Sequence, residues 1–203
     1  MRLFIALELP EEAHRWLAGR QEEMKRCFSQ ADLRWTPSDQ WHVTLRFLGE
    51  TPEHQIPAIL TAMKRAAEDM EPFQIAFGKP GTFSGPRMGV LWIGVESGLE
   101  PLKKLAARLN ESLEAAGFPA EKRPFRAHIT LARSTRTGCS PQFGGSRSKI
   151  SSAALRNIPL SSSCPQALIT TFHLYQSTPG SSGSLYTRLH TVASHRTHPE
   201  AQD

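Results

Sequence analysis

Hydrophobic positions along the chain alternate between two periods. Residues Arg2 to Leu9 form a near-continuous apolar run, which predicts a buried strand. Pro10 with Glu11 and Glu12 behind it predicts a helix over 10–28. Negative charge in that first turn suits a helix N-terminus, and Trp16, Leu17, Met24 and Phe28 supply its apolar contacts. Leu33 to Thr36 reads as a short extended piece, and Pro37-Ser38-Asp39 as a turn. Trp41 to Leu48 predicts a strand ending at Gly49. Thr51-Pro52-Glu53 opens a second helix to about Met70, with Ile56, Ile59, Leu60, Met63 and Ala67 at helical spacing. Phe73–Phe77 and Gly89–Val95 predict strands separated by a Gly/Pro-rich loop. Leu99–Ala116 is an amphipathic helix (Leu102, Leu105, Leu109, Leu113) stopped by Gly117, and Phe125–Ala132 is again a strand.

Beyond Ser134 the periodicity fades. Residues 134–166 are rich in Ser, Gly, Arg and Pro and read as a long basic loop, with a short helix at 151–156. Ala167–Tyr175 and Leu185–Val192 predict two closing strands around a Pro179–Ser184 turn, and 194–203 a disordered tail. The strand–helix–strand rhythm of the first part returns later in the chain. It predicts an α+β fold: one bilobal, pseudo-symmetric domain over 1–193, its two mainly antiparallel sheets facing across a central cleft with helices on the outside.

Composition narrows the setting. The chain has 203 residues, of which 39% are hydrophobic, enough for an ordinary core. No apolar run approaches the roughly 20 residues needed to cross a bilayer, and Glu8 cuts the first run too short for a secretory core. Cys27, Cys139 and Cys164 are an odd number, far apart, which predicts a reducing cytoplasm rather than a disulfide framework. The net charge is +5, but unevenly placed: Lys122 to Arg196 holds ten of the 24 basic residues and none of the 19 acidic ones. Such a field favours polyanions, nucleic acid first among them.

Two tetrapeptides match: His42-Val43-Thr44-Leu45 and His128-Ile129-Thr130-Leu131. Chance would give such a pair about once in a thousand chains of this composition. In a strand, His42 and Thr44 share one face while Val43 and Leu45 pack behind, and His128 and Thr130 do likewise in front of Ile129 and Leu131. Two facing lobes would gather two imidazoles and two hydroxyls in one cleft. Near neutral pH one imidazole can take a proton and the other give one, which suffices to cleave a phosphodiester without a metal. The threonine hydroxyls can hold the non-bridging oxygens as charge builds on them.

These tetrapeptides resemble those of the two-histidine (2H) phosphoesterases, in particular the RNA 2',3'-cyclic phosphodiesterase branch, also called RNA 2',5'-ligase. Arg2-Leu3-Phe4-Ile5-Ala6-Leu7, the stretch His42 to Gly49, the stretch Phe125 to Arg133 and the closing Leu185-Tyr186-Thr187 carry the likeness. The resemblance implies metal-independent hydrolysis of RNA 2',3'-cyclic phosphate ends to 2'-phosphomonoesters. His42 and His128 would be the acid/base pair, with His128 activating water and His42 protonating the leaving 3'-oxygen; the residues themselves allow the reverse. Thr44 and Thr130 would bind the phosphate. Phe47 and Arg133 match positions that contact the nucleotide, although Phe47 stands at an odd offset from His42. Ala127 replaces the usual proline before the second histidine.

Two further readings stand beside this one: a 2',5'-linked RNA phosphodiesterase or ligase using the same groups, and a non-catalytic RNA-binding module built on the basic segment. The expected partner is RNA ending in a cyclic phosphate, tRNA fragments among them, or a nucleotide, bound by a monomer without cofactor or membrane. His190, His195 and His198 are too irregularly spaced for a metal site. His14, His54 and His173 read as structural or surface residues, and the four tryptophans as core or edge. Gly78, Gly81 and Gly85 make no phosphate loop.

Overall fold

A computed structural model describes residues 1–29, 31–84, 89–134, 155, 164–180 and 183–194. Nine strands and three helices are formed there: β1 (Arg2–Leu7), α1 (Glu11–Cys27), β2 (Leu33–Trp35), β3 (Val43–Glu50), α2 (Ile56–Ala67), β4 (Phe73–Ser84), β5 (Gly89–Ser97), α3 (Leu99–Ala115), β6 (His128–Ser134), β7 (Ala167–Ile169), β8 (Thr171–Gly180) and β9 (Gly183–Ala193). They make a four-stranded sheet in the order β3-β1-β8-β9 and a five-stranded sheet in the order β2-β6-β5-β4-β7. Every ladder among the described residues is antiparallel, so the α+β architecture with two antiparallel sheets expected from the sequence is the one observed.

The helices lock the two sheets together by crossing over. α1 follows a strand of the first sheet but is fastened to the second: buried Gln21 donates through Nε2 to Thr36 O at 2.8 Å and to Leu131 O at 3.3 Å. α3 follows a strand of the second sheet but packs on β3 of the first, while α2 packs on α3 and on β9. The leucine row of α3 (Leu102, Leu105, Leu109, Leu113) is buried as its spacing required. One contiguous apolar cluster results, drawing residues from both sheets and all three helices. The first sheet also curls on itself, so that Gln40, just ahead of β3 at one edge, donates through Nε2 to Ser184 O of β9 at the other edge (2.9 Å).

Four expectations are corrected. The Gly/Pro-rich stretch after Phe77 is strand, because β4 bulges at Gly78–Lys79 and resumes pairing from Pro80 to Ser84. Glycine is there for close approach: a Cβ on Gly78 would strike Glu96, and one on Gly81 would strike the Trp92 ring. The single strand expected over Ala167–Tyr175 is two, since β7 pairs with β4 in one sheet and β8 with β1 in the other, the chain changing sheets at Thr170. Gly49 does not end its strand; at φ +74° it bends β3, which continues to Glu50. The second helix begins with a 3-10 turn (Glu53–Gln55) and stops at Ala67. The short helix at 151–156, most of the basic loop and the tail from 195 lie outside the described residues.

Candidate active site

The two tetrapeptides occupy corresponding places, one in each sheet. Burial alternates as the pattern required: His42 and Thr44 are half-buried with Val43 and Leu45 buried, and His128 and Thr130 repeat this in front of Ile129 and Leu131. Thr44 pairs with Ala6, and Thr130 with Trp92, on the inner face of each sheet.

Each imidazole is held by the same device. Nδ1 of His42 bonds the carbonyl oxygen of Gln40 at 2.8 Å, and Nδ1 of His128 bonds that of Arg126 at 2.7 Å, both two residues upstream. A carbonyl only accepts, so each neutral ring carries its proton on Nδ1 and presents Nε2 as a lone pair. The rings also sense each other. His42 is pushed down to about 4, by burial first and then by the charges of His128 and Arg133, against the raising pull of Gln40 O. His128 is lowered too, by burial and then Arg133. Residues far apart in sequence thus meet in one electrostatic site.

Aromatic rings wall each histidine. Phe4 lies 4.9 Å from the His42 ring and Tyr186 meets it edge-on at 5.4 Å, centroid to centroid. Phe83 meets the His128 ring edge-on at 4.9 Å and Trp92 at 6.1 Å. Arg126 stacks its guanidinium over Phe83. The sequence reading missed Phe4, Phe83, Trp92 and Tyr186 as site walls, because their placement depends on strand register.

The odd offset of Phe47 is resolved by a bulge. Along β3, Thr44 pairs with Ala6 but Arg46 with Ile5, so Leu45 is an extra residue and parity shifts by one. Phe47 then pairs with Phe4, on the His42 face; the two rings are 6.1 Å apart and Phe47 is 56% exposed. Along β6, Thr130 pairs with Trp92 but Ala132 with Leu91, so Leu131 is the extra residue. Arg133 pairs with Val90 and so turns to the His128 face. Arg46 is turned the other way and buried, donating through Nη2 to Pro119 O and lying 4.0 Å from Glu121.

The remaining histidines take other parts. His173, expected to be structural or at the surface, is buried on the inner face of the first sheet, bonded to Thr191 Oγ1 at 2.9 Å and 3.5 Å from Glu8, which also binds Arg188 at 2.6 Å. His14 stacks on Trp41, and His190 is exposed on β9. His195 and His198 lie outside the described residues, as does Cys139. Among the described residues no cluster of metal-ligating side chains occurs, and no helix is long and apolar enough to cross a membrane.

The sequence and the fold have known counterparts. The sequence profile of the 2'-5' RNA ligase superfamily matches residues 9–142. The chain belongs to that superfamily. Among its members, a Thermus thermophilus protein named RNA 2',3'-cyclic phosphodiesterase is 35% identical over 138 residues, covering 66% of this chain and 68% of that one. A Bacillus subtilis protein of the same name is 35% identical over 101 residues, covering 49% of this chain and 55% of that one. The crystal structure of Escherichia coli LigT complexed with 3'-AMP superposes with a TM-score of 0.74 at 25% identity, over 96% of this chain and 98% of LigT. Both motifs of the superfamily member described here lie within the matched residues.

Proposed function

We propose that this protein hydrolyses RNA 2',3'-cyclic phosphate ends to 2'-phosphomonoesters, using His42 and His128 as an acid/base pair and no metal. The observation that carries the reading is the duplicated imidazole: two rings fixed through Nδ1, each offering Nε2, in one electrostatic site with an arginine. Water attacks phosphorus and gives its proton to Nε2 of one ring. The P–O3' bond breaks, and the other ring gives its proton to the departing 3'-oxygen, leaving a 3'-hydroxyl and a 2'-phosphate. Thr44 and Thr130 bind non-bridging oxygens, Phe47 stacks on the terminal base and Arg133 balances phosphate charge.

We assign His128 as the base and His42 as the acid. In the empty cleft both are neutral at pH 7, so the anionic phosphate must draw in the donor's proton on binding. Burial and the neighbouring charges make His42 the harder ring to charge, so this assignment requires the bound phosphate to raise His42 more than His128; His42, once charged, is then the stronger donor to the 3'-oxygen. The names of the relatives and the nucleotide in LigT support RNA as the substrate class. Joining to a 2',5' linkage is the same displacement with a strand's 5'-hydroxyl attacking phosphorus in place of water, and its reverse cleaves 2',5'-linked RNA; both use the same groups and make the second reading. The test is purified protein with EDTA and an oligonucleotide ending in a 2',3'-cyclic phosphate. A 2'-phosphate end should appear, and neither His42→Ala nor His128→Ala should produce it at a comparable rate; full activity in both variants sinks the reading.

A further inference from the structure

A groove of about 700 Å³ opens beside the cleft, lined by Arg2, Arg34, Glu50, Ser177, Thr178 and Ser184 among others. It adjoins the His42 side of the site: Ser184 O accepts from Gln40, whose own carbonyl holds His42, and Tyr186 two residues on touches the His42 ring. Its charged lining is mostly basic, with Arg2, Arg34 and the Met1 ammonium against the Glu50 carboxylate, which lies 3.9 Å from that ammonium.

Arg34 links this groove to the second sheet. It is cross-strand partner to Arg133, so two like charges stand directly opposite each other beside the row that holds Thr130. Such a pairing is unfavourable in itself and becomes favourable with an anion between or beside the two. The Arg34 guanidinium reaches across to β9, where only the absent side chain of Gly183 makes room for it; Gly183 sits at φ +147°. The row of Arg34 and Arg133 lies about two residues of strand rise, roughly 7 Å, beyond that of Thr130. That is about one nucleotide's step along a single strand.

We propose that Arg34, with Arg2 and the hydroxyl of Arg2's cross-strand partner Ser177, forms a subsite for the phosphate next upstream of the reacting one. The inference rests on the phosphodiesterase reading for the position of the reacting phosphate. It makes the preferred ligand an RNA strand of two or more nucleotides rather than a lone cyclic nucleotide.

The test compares two product-like ligands by calorimetry on the full chain: a mononucleotide 2'-phosphate, and a dinucleotide bearing the same 2'-phosphate end. The dinucleotide should bind about tenfold or more tightly, a difference of about 1.4 kcal/mol. Arg34→Gln should bring that ratio close to one and flatten the salt dependence of dinucleotide binding by roughly 0.7 in the log–log slope. Arg34→Lys should keep part of the ratio. A ratio near one in the native protein, or one that Arg34→Gln leaves intact, overturns the subsite. Turnover of cyclic-phosphate ends, measured alongside, keeps the two readings apart. If the native protein opens no cyclic phosphate, the phosphodiesterase reading falls, while the binding ratio still decides whether the groove takes a second phosphate.

Discussion

Phe47 and Arg133 are equivalent residues of the two halves. Each stands five positions after the histidine of its strand, and each is turned to the histidine's face by one bulged leucine, Leu45 or Leu131. A bulge adds one residue to one strand and so reverses the side on which everything beyond it points. The duplication thus extends past the tetrapeptides into the backbone irregularity that follows them. The two halves differ in what the bulge delivers: an exposed aromatic ring on one side, a guanidinium on the other.

Arg133 lowers the pKa of both imidazoles. Arg133→Gln removes that cation, so both should become easier to protonate and both pKa values should rise. Imidazole titrations followed by NMR should show the His42 and His128 midpoints moving upward together, with His173 unmoved. KM for an RNA end should rise as well, since a phosphate contact is lost. Unchanged midpoints would mean the guanidinium does not face the pair.

Phe47→Ala should act on binding alone. The ring is more than half exposed, so its removal costs little stability. A base stacked on an aromatic ring contributes about 1–3 kcal/mol, so KM should rise roughly tenfold or more with kcat nearly kept. Phe47→Trp should restore affinity. A loss of thermal stability in place of a KM effect would return Phe47 to simple packing.

The part of this architecture that could be read from the sequence is the part governed by local period. The alternation at His42–Leu45 and His128–Leu131 is a property of the strand itself, and the leucine row of α3 a property of the helix. What escaped was set by partners distant in the chain. Trp92 walls His128 because β5 pairs with β6 in one register and because Gly81 on β4 leaves room for the ring. Gly78 and Gly81 read as loop residues because glycine in isolation signals freedom, whereas here it signals a neighbour pressed close. The break at Thr170 was hidden because β7 and β8 are both apolar strands, and nothing in their composition says that they join different sheets.

The Gly81–Trp92 contact sets a stability test. A side chain at Gly81 would collide with the Trp92 ring, which in turn touches His128. Gly81→Val should therefore destabilise the protein by about 1–3 kcal/mol through overpacking, and lower kcat by displacing the ring beside the histidine. Gly81→Val with Trp92→Leu should recover much of the stability. If the double variant melts no higher than the single one, the ring is not the obstacle.

Acid should loosen the fold through its histidines. His42, His128 and His173 are all lowered by burial first. A histidine whose folded pKa lies below the unfolded value of 6.5 binds fewer protons when folded. Its contribution is complete above pH 6.5 and is lost as pH falls toward the folded pKa, which for His42 is about 4. That one group corresponds to about 3 kcal/mol at most between pH 7 and pH 4. Thermal melts should fall by roughly 5–10 °C between pH 7 and pH 4. His42→Gln should make the fall shallower. An identical slope in that variant would show that carboxylates, not this imidazole, carry the acid sensitivity.

The two imidazoles can be told apart by changing the leaving group. Each alanine substitution, His42→Ala or His128→Ala, should lower kcat on an ordinary cyclic phosphate by about 10²–10⁴. Replacing the bridging 3'-oxygen by sulfur gives a thiolate leaving group with a pKa of about 8.5, which departs without a proton donor. If His42 is the acid, His42→Ala should recover at least about tenfold in relative rate on the sulfur substrate, and His128→Ala should not, because water still needs a base. The opposite pattern would reverse the assignment. That outcome would be the one expected if the proton taken up on substrate binding settled on His128, the ring whose protonation makes His42 harder to charge. Recovery in neither variant would mean that no proton reaches the 3'-oxygen from this pair, and the acid/base reading would have to be given up.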